Sequence, residues 1–385
     1  MTTSTSIGMT TSTTTITAAV AREHGQPLSI EQVELDTVRP DEVRVRLVAT
    51  GVCHTDAIVR DGAYPTPLPA VLGHEGAGVV EAVGEMVPDI AVGDHVILSA
   101  AYCGTCKRCR AGQMAYCEHL FAEDFGGRRH DGTTALTDPS AGTGAEQIIS
   151  SHFFGQSAFA TYANVRSTSV VVVDPDVPLE VLAPLGCGMQ TGAGAVLNEL
   201  RPAAGTSLAV SGAGAVGLAA VMAARIAGCT TVIAIDVHDS RLALAAELGA
   251  THVINGKQTD THEKIMEITG GAGVDFIVDT TAIPALLASA AQSLALRGTL
   301  ALVGAAKPGT EVPFEIGASL VKGWTFKTIV QGSAVPQVFI PRLVQLWKQG
   351  DFPLEKLTRP YRLEEINDAF ADSASGAVVK PIVVF

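Results

Sequence analysis

Four of the seven cysteines lie close together in the sequence, and their spacing predicts a metal site. Cys103, Cys106, Cys109 and Cys117 are separated by two, two and seven residues. Four thiolates that converge form a closed tetrahedral site, which is typical of structural zinc. The main alternative is an iron–sulfur cluster, whose short-spaced bacterial motif needs the fourth cysteine after three residues and a proline after it, whereas Glu118 follows here. Four unrelated buried cysteines would be the simplest explanation without a metal.

Three further residues could hold a second metal, although they are far apart in the sequence. Cys53 follows the alternating run EVRVRLVATG, His74 precedes another apolar run, and Cys187 is flanked by glycines. Taken singly, each could be a packed core residue. Together they offer two thiolates and one imidazole, a set that leaves the fourth zinc position open for water or substrate. Cys229 has no such companions, and we assign it to packing.

A glycine cluster predicts a dinucleotide site. Gly212, Gly214 and Gly217 lie between a predicted strand and a predicted helix, whose free N–H groups can bind a pyrophosphate. Asp236 ends the next predicted strand, where a carboxylate accepts hydrogen bonds from the adenosine ribose. Because a carboxylate would repel a 2′-phosphate, the sequence favours NAD over NADP. The alternative for Asp236 is a helix cap, since Asp239 opens the next predicted helix.

The elements that must position these residues indicate an α/β protein with two domains. Strand and helix patterns alternate through THVIN, VDFIVDT and TLALVGAA, which predicts a doubly wound parallel sheet. The 385 residues are 47% apolar and 17% charged, so a large core can form. The net charge of −13 disfavours nucleic acid and anionic membranes as partners, so a small-molecule substrate is expected. The other domain is then split, with a long N-terminal part and a short C-terminal return.

The beginning of the chain is expected to be a disordered tail over residues 1–17. It is rich in Thr and Ser, and Met9 is a possible alternative start. The tract has no basic residue and no apolar core, so we expect no export signal and a cytoplasmic protein. An odd number of cysteines fits a protein without a disulfide framework. The uncharged stretch 202–224 is long enough to span a bilayer, but its glycines favour a buried helix instead.

The motifs GVCHTD, GHEGAGVVEAVG, PLGCGMQTG, SGAGAVG and SGAVVKPIVVF, together with the four-cysteine loop, resemble those of zinc-containing medium-chain alcohol dehydrogenases. The resemblance covers nearly everything after the tail. It implies a Rossmann NAD-binding domain over residues 189–330. It also implies a split, mostly β GroES-like catalytic domain over residues 18–188 and 331–385. The cofactors would be NAD and two zinc ions, one catalytic and one structural.

The resemblance also assigns roles to individual residues. Cys53, His74 and Cys187 would bind the catalytic zinc, Asp56 would orient His74, and Glu75 would lie behind the metal. Thr55 would take the proton from the alcohol. The cofactor would be held by Gly212, Gly214, Val216 and Gly217 of the glycine motif, by Thr191 and Val303 at the nicotinamide, by His54 and Lys380 at the pyrophosphate, and by Asp236 and Arg241 at the adenosine ribose. Surface side chains are the alternative, above all for Arg241 and Lys380.

One departure from the family pattern bears on the substrate. Many relatives have a proton-relay histidine five residues after the first zinc cysteine, but this chain has Ile58 there. That loss resembles the aryl and allylic alcohol dehydrogenase branch, and Phe153 and Phe154 align with its pocket positions, although both could simply be core residues. We therefore expect a primary alcohol–aldehyde interconversion on benzyl or geraniol-type substrates by a homodimer. The alternatives are an S-(hydroxymethyl)glutathione or short aliphatic alcohol dehydrogenase, and a catalytically silent zinc protein that binds dinucleotides.

Overall fold

The computed structural model describes residues 13–142, 144 and 147–385, and these form three β-sheets with helices around them. The strands are β1 Thr14–Ala21, β2 Ser29–Leu35, β3 Glu42–Gly51, β4 Ala70–Val71, β5 Gly76–Val83, β6 His95–Leu98, β7 Leu136–Thr137, β8 Ile148–Ile149, β9 Tyr162–Arg166, β10 Val170–Val173, β11 Ser207–Ser211, β12 Thr231–Asp236, β13 His252–Asn255, β14 Val274–Asp279, β15 Leu294–Leu302, β16 Thr325–Thr328, β17 Thr358–Arg362 and β18 Lys380–Val384. The α-helices are α1 His54–Arg60, α2 Lys107–Arg110, α3 Leu120–Phe125, α4 Leu179–Leu182, α5 Gly188–Gly194, α6 Ala215–Ile226, α7 Asp239–Glu247, α8 Thr261–Ile268, α9 Pro284–Gln292, α10 Ile316–Lys322, α11 Pro336–Lys348 and α12 Ile366–Ser375.

One sheet is parallel throughout and has the order β13-β12-β11-β14-β15-β16. This is the doubly wound order in which the chain starts in the middle and builds outwards in both directions, with a ligand crevice where the direction changes. The strands are apolar because helices cover the sheet. Helix α6 is one of them, and most of its small and apolar side chains are buried. The predicted α/β fold is confirmed.

The other two sheets contain many antiparallel pairs and form the second part of the molecule. One has the order β4-β1-β2-β7-β8, and the other has the order β10-β6-β5-β3-β18-β17 with β9 also paired to β3. Strand β18, from the end of the chain, pairs with β3 through Ile382 opposite Gly51. The second part is therefore mostly β and is completed by a C-terminal return, as the sequence predicted.

The prediction of a disordered tail over residues 1–17 was wrong for its last four residues, 14–17. Strand β1 begins at Thr14 and pairs with β2 from Thr14 opposite Leu35. Ile16 is buried in the core. The threonines of TTITAAVA are polar, but they are also β-branched, as are its isoleucine and valine. β-branched residues suit a strand, and a prediction from polar composition does not register this property. Residues 1–12 of the expected tail, including Met9, lie outside the described residues.

Across the described parts of the chain, no helix combines the length and the apolar character needed to cross a membrane.

Candidate active site

The three scattered zinc-ligand candidates come together between the two parts of the molecule. Cys53 immediately precedes α1, His74 lies between β4 and β5, and Cys187 immediately precedes α5. The ligand atoms of these three residues and one carboxylate oxygen of Glu75 all lie within 4.8 Å of one another. Such mutual distances allow one metal ion to contact them all.

His74 has the hydrogen bonding of a metal ligand. Its Nδ1 lies 2.8 Å from Oδ1 of the buried Asp56, while Nε2 is buried and finds no hydrogen-bond partner among the described residues. A buried nitrogen without a partner is costly unless a ligand satisfies it. Burial alone would lower the pKa of His74, but the charges of Asp56 and Cys53 raise it well above the ordinary value. The site therefore attracts positive charge, and a zinc ion fits its donor set.

Asp56 also fixes the segment that carries Cys53. Its Oδ2 accepts a hydrogen bond of 2.9 Å from the Cys53 N–H, and its Oδ1 accepts one of 3.2 Å from the Gly73 N–H. One carboxylate thus connects the turn before α1 with the loop before His74.

Glu75 and Lys380 form a buried ion pair beside the candidate ligands. Lys380 Nζ lies 3.0 and 2.9 Å from the two Glu75 oxygens and donates to the Val52 carbonyl at 3.2 Å. Burial alone would lower the pKa of Lys380, but Glu75 raises it, so the amine is charged. Glu75 Oε1 also accepts from the Gly188 N–H at the start of α5. Lys380 is therefore no surface side chain, which excludes the alternative considered from the sequence.

A cavity of about 630 Å³ extends from Cys53 along the carboxyl ends of the parallel strands. Its lining includes the predicted residues Cys53, His54, Gly212, Gly214, Val216, Asp236, Arg241 and Lys380. It also includes residues that were not predicted, among them Thr259, Thr280 and Phe370. The cavity thus brings the glycine turn, the acid after β12 and the cysteine before α1 to one crevice.

The glycine turn has the geometry of a phosphate-binding loop. Gly212 has φ +90°, and a Cβ on Gly217 would lie 1.8 Å from the Gly212 carbonyl oxygen, so only glycine allows this close approach. A Cβ on Gly214 would meet nothing within 4 Å. That open space is where a ligand can approach the backbone. Helix α6 begins without a side-chain cap, so its first N–H groups stay available for an anion.

Asp236 is not the cap of α7. Its Oδ2 accepts a hydrogen bond of 2.7 Å from Ala213 N–H in the glycine turn, and its Oδ1 accepts from the Val237 and His238 N–H groups. The residue before α7 is His238, and the N–H groups that Asp236 accepts from, those of Ala213, Val237 and His238, all lie before the helix. Arg241 Nη1 lies 4.0 Å from the Asp236 carboxylate. Both side chains line the cavity beside the glycine turn.

The chain matches two protein-family descriptions and several known proteins. Residues 39–175 match "Alcohol dehydrogenase GroES-like domain", and residues 215–348 match "Zinc-binding dehydrogenase". A geraniol dehydrogenase of Castellaniella defragrans is 43% identical over 370 residues, covering 96% of this chain and 97% of that protein.

Two solved structures have the same fold. A benzyl alcohol dehydrogenase of Acinetobacter calcoaceticus has a TM-score of 0.92 at 45% identity, covering 97% of this chain and 99% of the other. An alcohol dehydrogenase zinc-binding domain protein of Burkholderia ambifaria has a TM-score of 0.94 at 55% identity, covering 97% and 100%. The chain belongs to the zinc-containing medium-chain alcohol dehydrogenase family.

The four clustered cysteines of the dehydrogenase also converge. Their sulfurs all lie within 4.8 Å of one another, and the Cys103 and Cys109 sulfurs are 3.9 Å apart. Sulfurs bound to one tetrahedral zinc at about 2.3 Å would lie about 3.8 Å apart. The N–H groups of Cys106, Cys109 and His119 point at the sulfurs of Cys103, Cys106 and Cys117, which favours thiolates.

Other predicted residues lie near the site but not in the lining of the described cavity. Thr55 Oγ1 is 3.9 Å from Cys53 Sγ. Thr191 donates to the Cys187 carbonyl, and the Val303 N–H donates to the Asp279 carbonyl just after β15. Ile58 is half-buried on α1. Gly217 packs α6 against the Gly212 carbonyl instead of facing the cavity.

The two predicted pocket phenylalanines are buried and contact His74. Phe154 stacks on the imidazole with ring centroids 4.4 Å apart, and Phe153 meets it edge-on at 5.6 Å. Phe125 from α3 packs edge-on against both rings. These rings form an aromatic wall around the candidate metal ligand, here defined as Phe125, Phe153 and Phe154.

Sequence reasoning missed Gln156, which holds the His74 segment in place. The Gln156 amide donates to the carbonyls of His74 and Ser99 at 3.0 and 3.1 Å, and its oxygen accepts from the Gly76 N–H at 3.0 Å. The signal that could have found it is a lone amide in the apolar segment HFFGQSAF, because a buried amide needs several partners. No local pattern could have named those partners.

Proposed function

We propose that this dehydrogenase oxidises aromatic or allylic primary alcohols to aldehydes with NAD, and reduces the aldehydes in return. The observation that carries the proposal is the aromatic wall packed against His74. Flat unsaturated groups gain contact energy against aromatic rings, which gives such a site a preference over saturated groups of the same size. Two relatives are named after an allylic and an aromatic alcohol, the geraniol dehydrogenase and the benzyl alcohol dehydrogenase, and they support the same substrate class.

Zinc bound by Cys53, His74 and Cys187 would supply a Lewis acid, and NAD would supply the hydride acceptor. The residues of the chain provide position and proton transfer. Thr55, beside Cys53, is the hydroxyl group proposed to take the proton of the alcohol. With Ile58 in place of a relay histidine, the proton must leave by a route that does not use that position. Asp56 and Gln156 keep His74 in place, and the aromatic wall excludes water.

The cofactor is proposed to be NAD and not NADP. The support is Asp236, whose carboxylate lines the cavity while its hydrogen bonds to the glycine turn keep it in place. A fixed negative charge there repels a 2′-phosphate and accepts hydrogen bonds from ribose hydroxyls. His54 and Lys380 are proposed to face the pyrophosphate, and Thr191 and Val303 the nicotinamide.

A second zinc ion is proposed at Cys103, Cys106, Cys109 and Cys117. The sulfur separation of 3.9 Å between Cys103 and Cys109 supports one ion and not an iron–sulfur cluster, in which several metal ions separate the ligands. Such a closed site leaves no open position, so its role would be structural. All seven cysteines are free, as is usual in a reducing compartment, which supports the proposal of a cytoplasmic location.

The enzyme is proposed to be a homodimer that associates through α10 and β16. Strand β16 is the edge of the parallel sheet, and Ile316, Leu320 and Val321 on α10 are each about 80% exposed. An apolar helix face beside an open strand edge is typical of an interface, and the edge of a second copy can continue the sheet.

Substrate profiling of the enzyme loaded with zinc and NAD tests the proposal. Benzyl alcohol and geraniol are expected to have kcat/KM values at least about a hundredfold above that of ethanol, because several buried apolar carbons add contact energy. NAD is expected to exceed NADP as the acceptor. Comparable values for ethanol, or a clear preference for S-(hydroxymethyl)glutathione, would refute the substrate class. Elemental analysis should find two zinc ions per chain.

A further inference from the structure

The segment from His152 to Ser157, here called the aromatic turn, has an unusual backbone. Three of its residues other than glycine have positive φ: His152 at 60°, Phe154 at 52° and Ser157 at 57°. Such conformations are strained and persist only where the surroundings hold them. The turn also carries two rings of the aromatic wall. Something must therefore hold this turn in place.

A buried ionic network holds the turn at His152. Its Nε2 lies 2.8 Å from Oε1 of Glu42, and its Nδ1 lies 2.7 Å from the Ser151 hydroxyl. Glu42 also accepts hydrogen bonds of 2.6 and 3.0 Å from Arg129, which in turn binds Asp36 through two bonds of 2.8 Å. His152 and Glu42 are both almost completely buried. The chain of contacts anchors the turn to the beginning of β3.

Burial and hydrogen bonding determine the protonation states of His152 and Glu42 in this network. Burial lowers the pKa of His152, so the ring is neutral, with Nε2–H donating to Glu42 and Nδ1 accepting from Ser151. Burial alone would raise the pKa of Glu42, but bonds from His152 and Arg129 hold it at about 2. A neutral donor facing a carboxylate that stays ionised fixes the imidazole in one orientation.

The imidazole of His74 has a separate support in Asp56, which lies outside the aromatic turn. Gln156, four residues further along the turn than His152, binds the carbonyl of His74. The His152 side chain contacts neither of these groups; its two ring nitrogens bond to Ser151 and Glu42. Loss of the His152 bonds would therefore move the phenylalanine rings more than the ligand.

We propose that His152, held by Glu42, is a positioning residue that sets the orientation of Phe153 and Phe154 beside His74 and thereby the preference for flat unsaturated alcohols. The proposal rests on the proposed function, since it assigns a residue to the selectivity of the same site. His152 touches neither substrate nor metal in this account. It acts through the rings that follow it in the chain.

The test compares His152→Asn and Glu42→Gln with the unaltered enzyme, each loaded with zinc and NAD. Asn tolerates positive φ but is too short to bind Glu42 in the same way, while Gln keeps the shape of Glu42 and removes its charge. The matched control is His252→Asn, a histidine exposed on β13. The readout is the ratio of kcat/KM for benzyl alcohol to kcat/KM for cyclohexylmethanol, its saturated equivalent. This ratio should fall about three- to tenfold in both variants, the size of a lost aromatic contact, and stay unchanged in the control.

A double-mutant cycle separates positioning from general loosening. In a Phe154→Leu background, His152→Asn should lower the ratio less than it does in the unaltered enzyme, because one of the two rings through which His152 acts is already gone. An unchanged ratio in folded His152→Asn or Glu42→Gln, or an equal fall with and without Phe154, would overturn the proposal. If His152→Asn does not fold, Glu42→Gln decides the question. An unaltered enzyme without preference for benzyl alcohol would instead refute the proposed function.

Discussion

At the scale of single residues, Asp56 joins the two segments that carry the zinc ligands. It binds the imidazole of His74 and the backbone N–H of Cys53 with the same carboxylate. A carboxylate behind a metal-binding histidine selects the tautomer that presents the other nitrogen to the metal and makes that nitrogen more basic. Among the described residues, Nε2 of His74 has no hydrogen-bond partner, so it can face a metal ion. Asp56 should therefore control zinc affinity without touching the metal.

Replacing Asp56 with Asn should weaken zinc binding and activity about 10- to 100-fold, because the neutral amide polarises the imidazole less. The measurement is zinc retained during dialysis against a graded series of chelator concentrations, together with kcat/KM at saturating zinc. Asp61→Asn is the control, since Asp61 is an exposed carboxylate at the end of the same helix that pairs with Arg60. Equal zinc retention by the two variants would show that Asp56 has no such role.

At the scale of elements, the glycines of the turn have two different functions: one glycine allows close packing of a helix, and another leaves space for a ligand. Gly217 allows α6 to pack on the end of β11, whereas Gly214 leaves room in the cavity. The third predicted glycine is therefore a packing residue. Its effect on the cofactor comes through the position of the helix.

The two glycines should respond differently to alanine. Gly217→Ala is expected to destabilise the protein by about 1–3 kcal/mol, because its Cβ would overlap the Gly212 carbonyl oxygen. Gly214 has an extended backbone that alanine can adopt (φ −78°, ψ −172°), and its Cβ would meet no described atom within 4 Å, so Gly214→Ala should keep its stability but raise the KM for NAD about tenfold or more. Thermal unfolding and NAD titration measure the two effects. A Gly214→Ala enzyme with the original KM would place the pyrophosphate elsewhere.

Glu42, which binds His152 of the aromatic turn, should make the stability of the protein depend on pH. Glu42 has a pKa of about 2 in the folded protein, below its ordinary value of 4.5. A depressed pKa contributes stability that is fully present above the unfolded value and is lost as the pH falls through the folded one. The difference in unfolding free energy between the unaltered protein and Glu42→Gln should therefore shrink as the pH falls from about 4.5 to about 2. Denaturant unfolding at several pH values measures it, and zinc release common to both proteins cancels. A constant difference would contradict the assignment.

At the scale of the whole molecule, the candidate active site exists only where the two parts of the chain meet. The candidate zinc ligands come from the mostly β part and from the turn before α5, while the crevice proposed for the cofactor lies along the parallel sheet. The C-terminal strand β18 returns to β3 and brings Lys380 to Glu75. The far edge of the parallel sheet is left with the apolar face of α10, which is the proposed dimer interface.

Leu320→Glu should convert the dimer to a monomer, because it places a charge in the centre of that apolar face. Light scattering with size-exclusion chromatography should give half the mass of the unaltered enzyme. Met86→Glu is the control, since Met86 is also highly exposed but lies in the turn after β5. A monomeric unaltered enzyme, or a Leu320→Glu protein that remains dimeric, would contradict the proposed interface.

The fold, the dinucleotide motif and the clustered cysteines could be predicted because each depends on residues that are close together in the sequence. Glycines after an apolar run, a cysteine cluster with short spacing and alternating strand and helix patterns each have their physical reason within a few dozen residues. The same local reasoning failed at residues 14–17, where the polar composition hid a β-branched strand. Asp56 and Glu75 were assigned by resemblance, and their contacts agree with it.

By itself, the sequence determined the α/β fold and the alcohol dehydrogenase family, and it predicted two cysteine-based metal sites. Only the tertiary structure decided which distant side chains meet. His152 and Glu42 are 110 residues apart, Gln156 and His74 are 82 apart, and Lys380 and Glu75 are 305 apart. Strand pairing and burial bring these groups together, and burial makes their hydrogen bonds obligatory because water is absent. No spacing rule contains that information, so the support of the zinc ligand and of the aromatic turn became visible only in the folded chain.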